Sequence, residues 1–336
     1  MVNIALIGYG YWGPNLARNV HQVPGAKLAV CCDADASRLA QVNLLYPLAT
    51  VTTKAEDVWA SPAVDAVVIA TPAQSHFQLA KAALEAGKHV LVEKPLALSS
   101  EEARELIKLA DARKLVLMVG HTFVYNPAVL KIKELIDQGQ LGDVYYAYST
   151  RVNLGRLHRD LNVLWSVVPH DISILLFLFG DMPLEVSARG NSYLKSGVED
   201  VVFVSLFFPN GVMGNVHASW LDPSKVRRMT IVGSQKMVIY DDVESEGKIK
   251  VYEKGVLKVD HGEIFGEFQY KLHTGDIHIP KIDLSEPLRN ECTHFVECVE
   301  KGTRPRTDGE NGLQVIKVLE AAQRSLEKRG APVEVR

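Results

Sequence analysis

Five runs in the first 120 residues are apolar along their length rather than at every second position: NIALIG, KLAVCCD, DAVVIAT, HVLVEK and LVLMVG, with Leu48–Val51 a weaker sixth. A strand apolar on both faces must be covered on both faces, the condition of a strand in a parallel sheet flanked by helices. The segments between them carry a helical pattern: Pro14–His21, Ala36–Leu45, Gln74–Glu85 and Glu101–Ala112. Ser99 and Glu102 mark the start of the last helix as a capping pair. These patterns predict a doubly wound α/β domain over residues 1–122.

From Pro127 the pattern changes. A helix over Ala128–Gln138 leads into alternating β sequence at LGDVYYAYSTRV, and a helix over Pro169–Phe179 interrupts it. Strands recur at LEVSARGNSY, DVVFVSLFF, GVMGNVHASW, RRMTIVG and KMVIYDD, and helical patterns over Pro287–Lys301 and Gly309–Arg329 follow. The expectation is an α+β domain over residues 123–336, built on a large, mostly antiparallel sheet with helices on one face.

Composition narrows the function classes. The chain has 336 residues, 47% of them hydrophobic, and 37 Lys+Arg against 40 Asp+Glu give a net charge of −3. That near-balance, without a basic run, argues against a nucleic-acid partner. No apolar segment approaches the ~20 residues that span a bilayer, and the first residues enter a strand at once without a basic leader. Four cysteines form no disulfide framework in a chain of this size. A soluble, cytoplasmic protein is expected.

GYGYWG, Gly8 to Gly13, follows the first strand and opens a helix, the context a dinucleotide fingerprint requires. Gly8 allows the tight turn, Gly10 lets the backbone approach a pyrophosphate, and Gly13 lets helix and strand pack closely. Tyr11 and Trp12 fall in the same cofactor loop. Asp33, at the end of the second strand, is placed to accept the adenine-ribose hydroxyls and to repel a 2′-phosphate, so NAD is the expected cofactor. Two reservations stand: Asp33 could instead cap the helix from Ala36, and Arg38 could accommodate a phosphate.

The fourth strand ends at Thr71 and Pro72, at the carboxyl edge where an open sheet receives its ligand. His76 then either touches the cofactor ribose or faces solvent. The next strand delivers Glu93 and Lys94 to the same edge. A lysine desolvated beside a nicotinamide cation would have its pKa lowered towards neutrality, which suits proton transfer. The plainer alternative is a surface Glu–Lys pair.

The stretch TPAQSHFQLAKAALEAGKHVLVEKPLALSSEEARELIKLA, with EKP after AGKHV, strongly resembles the glucose–fructose oxidoreductase / inositol dehydrogenase / MocA (Gfo/Idh/MocA) family. The likeness extends through VGHTFVYNPAV and VPHDISILL to PLRNECTHFVECVEKGTRPRTDGENGLQVI, essentially the whole chain. The resemblance implies that Lys94 is an acid/base near the nicotinamide ribose and substrate hydroxyl, with Glu93 near the nicotinamide. It also implies a homodimer or homotetramer, formed through the sheet face left open by helices.

GDVYYAYSTRVNLG followed by DLNVLWSVVPHDISILL is similar to members that oxidise UDP-linked amino sugars, including UDP-N-acetylglucosamine 3-dehydrogenases. On that likeness Arg151, Asn153, Arg156 and Asn162 could bind a diphosphate, uracil or sugar hydroxyls, and Tyr125 and Asn126, beside the cofactor edge, are similar substrate-binding candidates. His170 is a candidate catalytic or substrate-contacting residue, against a purely structural first-turn histidine. Many family members carry Asp four residues earlier; here that position is Ser166, which could cap the helix. No metal site is expected: Cys292, His294 and Cys298 share a helix but lack a fourth ligand, and His273 with His278 suggests a surface loop.

Three functions compete: oxidation of a UDP-linked amino sugar, oxidation of a free polyol or aldose, and dinucleotide sensing without turnover. Lys94 argues against the third, because sensing needs no proton relay.

Overall fold

The computed structural model describes residues 1–155, 161–258 and 270–336. The first sheet has six parallel strands: β1 (Val2–Ile7), β2 (Ala26–Cys32), β3 (Thr50–Thr52), β4 (Ala66–Ile69), β5 (His89–Glu93) and β6 (Leu117–Gly120), in the order β3-β2-β1-β4-β5-β6. Helices α1 (Gly13–Gln22), α2 (Ala36–Leu45), α3 (Ala55–Ala60), α4 (His76–Glu85) and α5 (Ser100–Arg113) connect them. Ile4, Leu6, Val67, Ile69, Val90 and Val92 are buried, which is why these strands are apolar throughout. The Ser99 hydroxyl accepts the Glu102 N–H at 3.2 Å, and the Glu102 carboxylate reaches back to the Leu98 N–H at 3.2 Å, so α5 starts where its capping pair predicts. The weak sixth strand forms two residues later than expected, since Leu48 lies out in solvent. The six residues of α3 are too few to display a helical period.

The second sheet follows α6 (Pro127–Asp137). Its strands are β7 (Val144–Val152), β8 (Glu185–Asn191), β9 (Val201–Phe207), β10 (Met213–Ser219), β11 (Val226–Gly233), β12 (Met237–Asp241), β13 (Ile249–Lys258) and β14 (Tyr270–His278), with β15 (Val333–Glu334) on one edge. The order is β14-β13-β12-β11-β7-β10-β9-β8-β15, antiparallel at every pairing except β7 with β10. Two helices, α7 (Val163–Ser166) and α8 (Val168–Phe179), lie between β7 and β8 in the chain. His273 and His278 belong to β14 rather than to a loop, because the segment pairs with β13. Residues alternate across the central strands: Val204 and Val216 point inward, while Tyr146, Tyr148, Phe203 and Met213 are exposed on the other face. Tyr146 stacks on Tyr148 and Phe203 on His217.

The C-terminal helices are α9 (Pro287–Lys301) and α10 (Gly309–Glu327). The apolar stripe of α9, including Leu288, Cys292 and Phe295, packs against α1, β1 and the turn Thr122–Tyr125. Packing therefore groups Met1–Asn126 with Ser285–Lys317, and Pro127–Leu284 with Val318–Arg336. A single division at 122/123 assigns both C-terminal helices to the second domain; the compact units interleave instead. No helix among the described residues is long and apolar enough to cross a membrane.

Candidate active site

The loop between β1 and α1 is shaped by its glycines. Gly8 has φ +96°, and a Cβ there would meet the Ala70 carbonyl at 2.8 Å; one on Gly13 would meet the Gly8 oxygen at 2.2 Å. Both positions are closed by protein backbone. Gly10 is different: a Cβ would meet only the Arg38 guanidinium, at 3.5 Å, so this cradle suits the close approach of a pyrophosphate. The N-cap residue of α1, Trp12, makes no side-chain cap hydrogen bond, which leaves that helix end suited to an anion. Tyr11 is exposed and Trp12 partly so, as expected of a loop that covers a ligand. The residues present fit an NAD phosphate.

Asp33 is nearly buried and does more than face a ribose. One carboxylate oxygen accepts the Tyr9 N–H at 2.6 Å and the other the Asp35 N–H at 2.9 Å, so the side chain braces the glycine loop. Capping of α2 falls to Asp35, not Asp33. Arg38 lies 3.3 Å from the Asp33 carboxylate and 3.4 Å from that of Asp35, so its charge is already shared by two acids. Beyond β4, Thr71 and Pro72 form the expected turn, and both accept the Ser75 hydroxyl. His76 departs from both readings. It is buried, with Nδ1 2.7 Å from the Pro95 carbonyl and Nε2 2.9 Å from that of Thr71, leaving no ring nitrogen for a ribose hydroxyl. It ties together the segments that follow β4 and β5.

Glu93 and Lys94 leave the carboxyl end of β5, and the Lys94–Pro95 peptide is cis. The pair is not an ordinary surface ion pair. Burial outweighs the Lys94 charge, the Lys94 N–H at 3.3 Å and the Trp12 side chain, which all favour the carboxylate, so the Glu93 carboxyl is pushed up to about 7. The contact with Trp12 brings the β5 exit against the cofactor loop.

Two further residues, His121 and Glu291, belong to this unit's site. His121 follows β6 directly and is buried; its Nδ1 lies 2.7 Å from Asn311 Oδ1, which fixes the proton on Nδ1. Burial pushes this imidazole down to about 4, against the Asn311 hydrogen bond and with help from the Lys94 charge. Glu291, on α9, is fully buried and accepts the Thr122 hydroxyl at 3.0 Å. The sequence signals were present: His121 leaves a parallel strand at its carboxyl end, as Lys94 does, and Glu291 interrupts the apolar stripe of a helix. Tyr125 and Asn126 are buried. The Tyr125 hydroxyl is 2.9 Å from Thr307 Oγ1 and its ring lies under Arg306, so this tyrosine anchors the returning C-terminal segment.

The second unit carries the other candidates. Arg151 is buried in an ion pair with Asp171, Nε to Oδ2 at 2.6 Å, and Ser149 bonds the same carboxylate. Its fork is spent inside the protein, which corrects the expectation of a phosphate ligand. Asn162 likewise turns inward: its oxygen caps α7 through the Trp165 N–H, and its amide donates to Glu199 and Gln323. Asn153 is half-buried beside Gly155, and Arg156 lies outside the described residues. His170 is half-buried in the first turn of α8, after Pro169. Ser166 does not cap α8. It ends α7, and its hydroxyl donates to the Asn162 carbonyl at 2.9 Å.

Among the described residues no group of three His, Cys, Asp or Glu side chains is arranged to hold a metal; His294 Nε2 instead accepts the Arg306 N–H.

Residues 2–121 match the oxidoreductase family with an NAD-binding Rossmann fold, and residues 129–239 match the GFO/IDH/MocA C-terminal domain. An uncharacterized oxidoreductase of Streptococcus pneumoniae is 30% identical over 226 residues, 62% of this chain and 60% of that protein. The scyllo-inositol 2-dehydrogenase (NAD(+)) of Bacillus subtilis is 28% identical, over 99% of this chain and 96% of its own. Among solved structures, UDP-N-acetylglucosamine 3-dehydrogenase from Acidithiobacillus ferrooxidans superposes with a TM-score of 0.81 at 26% identity, covering 97% of this chain and 98% of that one.

Proposed function

Because the chain belongs to the GFO/IDH/MocA oxidoreductase family, we propose that it oxidises a ring hydroxyl, at C3, of a nucleotide-activated amino sugar such as UDP-N-acetylglucosamine. The NAD-dependent oxidoreductase activity is that of its family. The observation that carries the catalytic assignment is the exit of β5. There Lys94 adjoins the half-buried Glu93 carboxyl, pushed up to about 7, and Trp12 of the cofactor loop bonds that carboxyl.

NAD, when bound, supplies the hydride acceptor. The chain's own groups do the rest. The Gly8–Gly13 loop and the end of α1 seat the phosphates, and Asp33 braces that loop while presenting a carboxylate unfavourable to a 2′-phosphate. Lys94 removes the hydroxyl proton as the carbonyl forms. His121, held neutral by burial, keeps a lone pair on Nε2 for a hydrogen bond near the lysine. His170 is the candidate sugar contact.

Two observations favour a free polyol as the second reading: the inositol dehydrogenase aligns over nearly its full length, and Arg151 and Asn162 are not offered to a diphosphate. NADH formation with UDP-N-acetylglucosamine, free amino sugars and inositols separates the two. Turnover of inositols with none on the UDP-sugar would defeat the first reading. The open face bearing Tyr146, Tyr148, Phe203 and Met213 supports assembly as a homodimer or homotetramer; a monomeric mass by light scattering would reject it.

A further inference from the structure

Two acids lie close together beside Lys94, half-buried Glu93 and fully buried Glu291, on elements far apart in the chain. Glu93 packs on Gly120, where a Cβ would lie 3.2 Å from its Cδ and 3.3 Å from Oε1. Glu291 approaches the same segment from α9 and takes the Thr122 hydroxyl on Oε2. Its Oε1 is buried, with no hydrogen-bond partner among the described residues. A buried carboxylate with one oxygen unpaired is a costly state, and the neutral acid is the favourable one. Burial accordingly raises Glu291 well above the usual carboxyl range, and the negative charge of Glu93 raises it further.

The groups around this pair are few and of known sign. Lys94 adjoins Glu93, and Trp12 bonds it from the start of α1. His121 is neutral at ordinary pH. Cys292, next to Glu291 on α9, has its thiol pushed far up by burial and by both acids, and so stays uncharged. Arg18 on α1 and Glu286 before α9 cancel each other in an ion pair at 2.6 Å. Within this cluster, Glu93 is the acid whose affinity for a proton lies near neutrality.

We propose that Glu93 and Glu291 form a proton-holding pair behind Lys94, with Glu291 kept protonated and Glu93 receiving the proton that Lys94 takes from the substrate. The inference rests on the reading of Lys94 as the acid/base. In sugar oxidation the substrate O–H bond breaks and an N–H bond forms on Lys94, while the C–H electron pair leaves as hydride to the nicotinamide. The lysine N–H then breaks and an O–H forms on Glu93, which restores the amine. Loss of that proton to water returns both groups to their starting state, with the ketone, NADH and one proton as products. Glu291 gives up nothing. As a neutral acid it keeps a second negative charge away from Glu93 and so holds the latter's proton affinity within reach of neutral pH.

Proton exchange on NAD binding tests this without any sugar. The nicotinamide cation at the β5 exit should favour ionised Glu93, so NAD binding at pH 7 should expel roughly half a proton. Calorimetric titration in two buffers of different protonation enthalpy reads that number. The release should fade at pH 5 and pH 9 and vanish in Glu93→Gln. Buffer-independent heats in the wild type, a release that climbs steadily to pH 9, or one that survives Glu93→Gln would overturn the proposal. The wild-type pH series decides the matter even should that variant fail to fold. For Glu291, infrared spectroscopy at pH 8 should show a protonated-carboxyl carbonyl band that Glu291→Gln removes. No band, or a band unaffected by the substitution, overturns its half of the assignment. The acid/base reading fails separately, through undiminished sugar turnover in Lys94→Met, a result that leaves the NAD-linked proton release standing.

Discussion

Asp33→Ala removes an acceptor from two backbone amides at once. The Tyr9 N–H, 2.6 Å from the carboxylate, is buried at the start of the glycine loop, and the Asp35 N–H at 2.9 Å opens the turn into α2. A hydrogen bond to a charged acceptor contributes about 1.5–3 kcal/mol. At a factor of ten per 1.4 kcal/mol, each amide should exchange with solvent roughly 10- to 150-fold faster, where local opening governs exchange. Arg38 adds little, because it is half-exposed and shared with Asp35. Hydrogen–deuterium exchange of the cofactor-free protein, read at Tyr9 and Asp35, measures the effect. Asp33→Asn is the internal control: its single carbonyl oxygen can keep one amide, so one should accelerate and the other should not. The same loss of charge should relax the preference for NAD over NADP, measured by the ratio of binding constants. Unchanged exchange at both amides would refute the bracing role, and an unchanged NAD/NADP ratio the cofactor role.

Lys94→Met should lower turnover by about 10²–10⁴ while NAD still binds; a folded variant with near wild-type turnover removes Lys94 from the chemistry. The His121 imidazole, pushed down to about 4 from an ordinary value of 6.5, should make the protein less stable in acid. The unfolded chain binds the proton first as pH falls, so this contribution is whole above 6.5 and is lost between 6.5 and about 4, by up to about 3 kcal/mol. Chemical denaturation of wild type and His121→Gln across that window should show a shallower acid slope in the variant, and equal slopes would contradict the assignment. Ser166→Asp should move the acidic limb of the pH–rate profile upward if His170 takes part in proton transfer, since a carboxylate brought against the imidazole from the end of α7 favours imidazolium. An unmoved limb, with the new carboxylate shown to lie against the imidazole, would confine His170 to a structural role.

The parallel sheet was legible because its strands must be apolar on both faces, and no other common element produces short, unbroken apolar runs in alternation with helices. The cofactor loop was legible for a related reason, since glycines there answer to local backbone geometry. The site's lining was harder to read. His76 and Arg151 have the chemistry of ligand-binding residues, yet each is satisfied by partners that only the folded chain brings near: carbonyls at positions 71 and 95 for one, Asp171 for the other. Glu291 presents the converse case. Its partner groups lie 169 or more positions away in sequence, and nothing local tells a buried acid from a solvated one except its place in an apolar stripe. A side chain's type narrows what it can do; its partners decide what it does.

The interleaving of the two compact units bears on how the chain reaches its native state during synthesis. Residues 1–126 carry a complete six-stranded sheet, but α1 and the Thr122–Tyr125 turn wait for α9, which the ribosome delivers only after the whole nine-stranded sheet except its last edge strand. Until then α1 lacks the helix that packs on it, and the cofactor cradle stands on an unfinished foundation. The second unit is likewise closed only by Val318–Arg336, which emerges later still. A fragment cut at Asn126 should therefore be poorly soluble despite holding every glycine of the NAD loop. Binding of NAD by the nascent chain should begin late, after α9 has been released, and not when the dinucleotide fingerprint first leaves the exit tunnel.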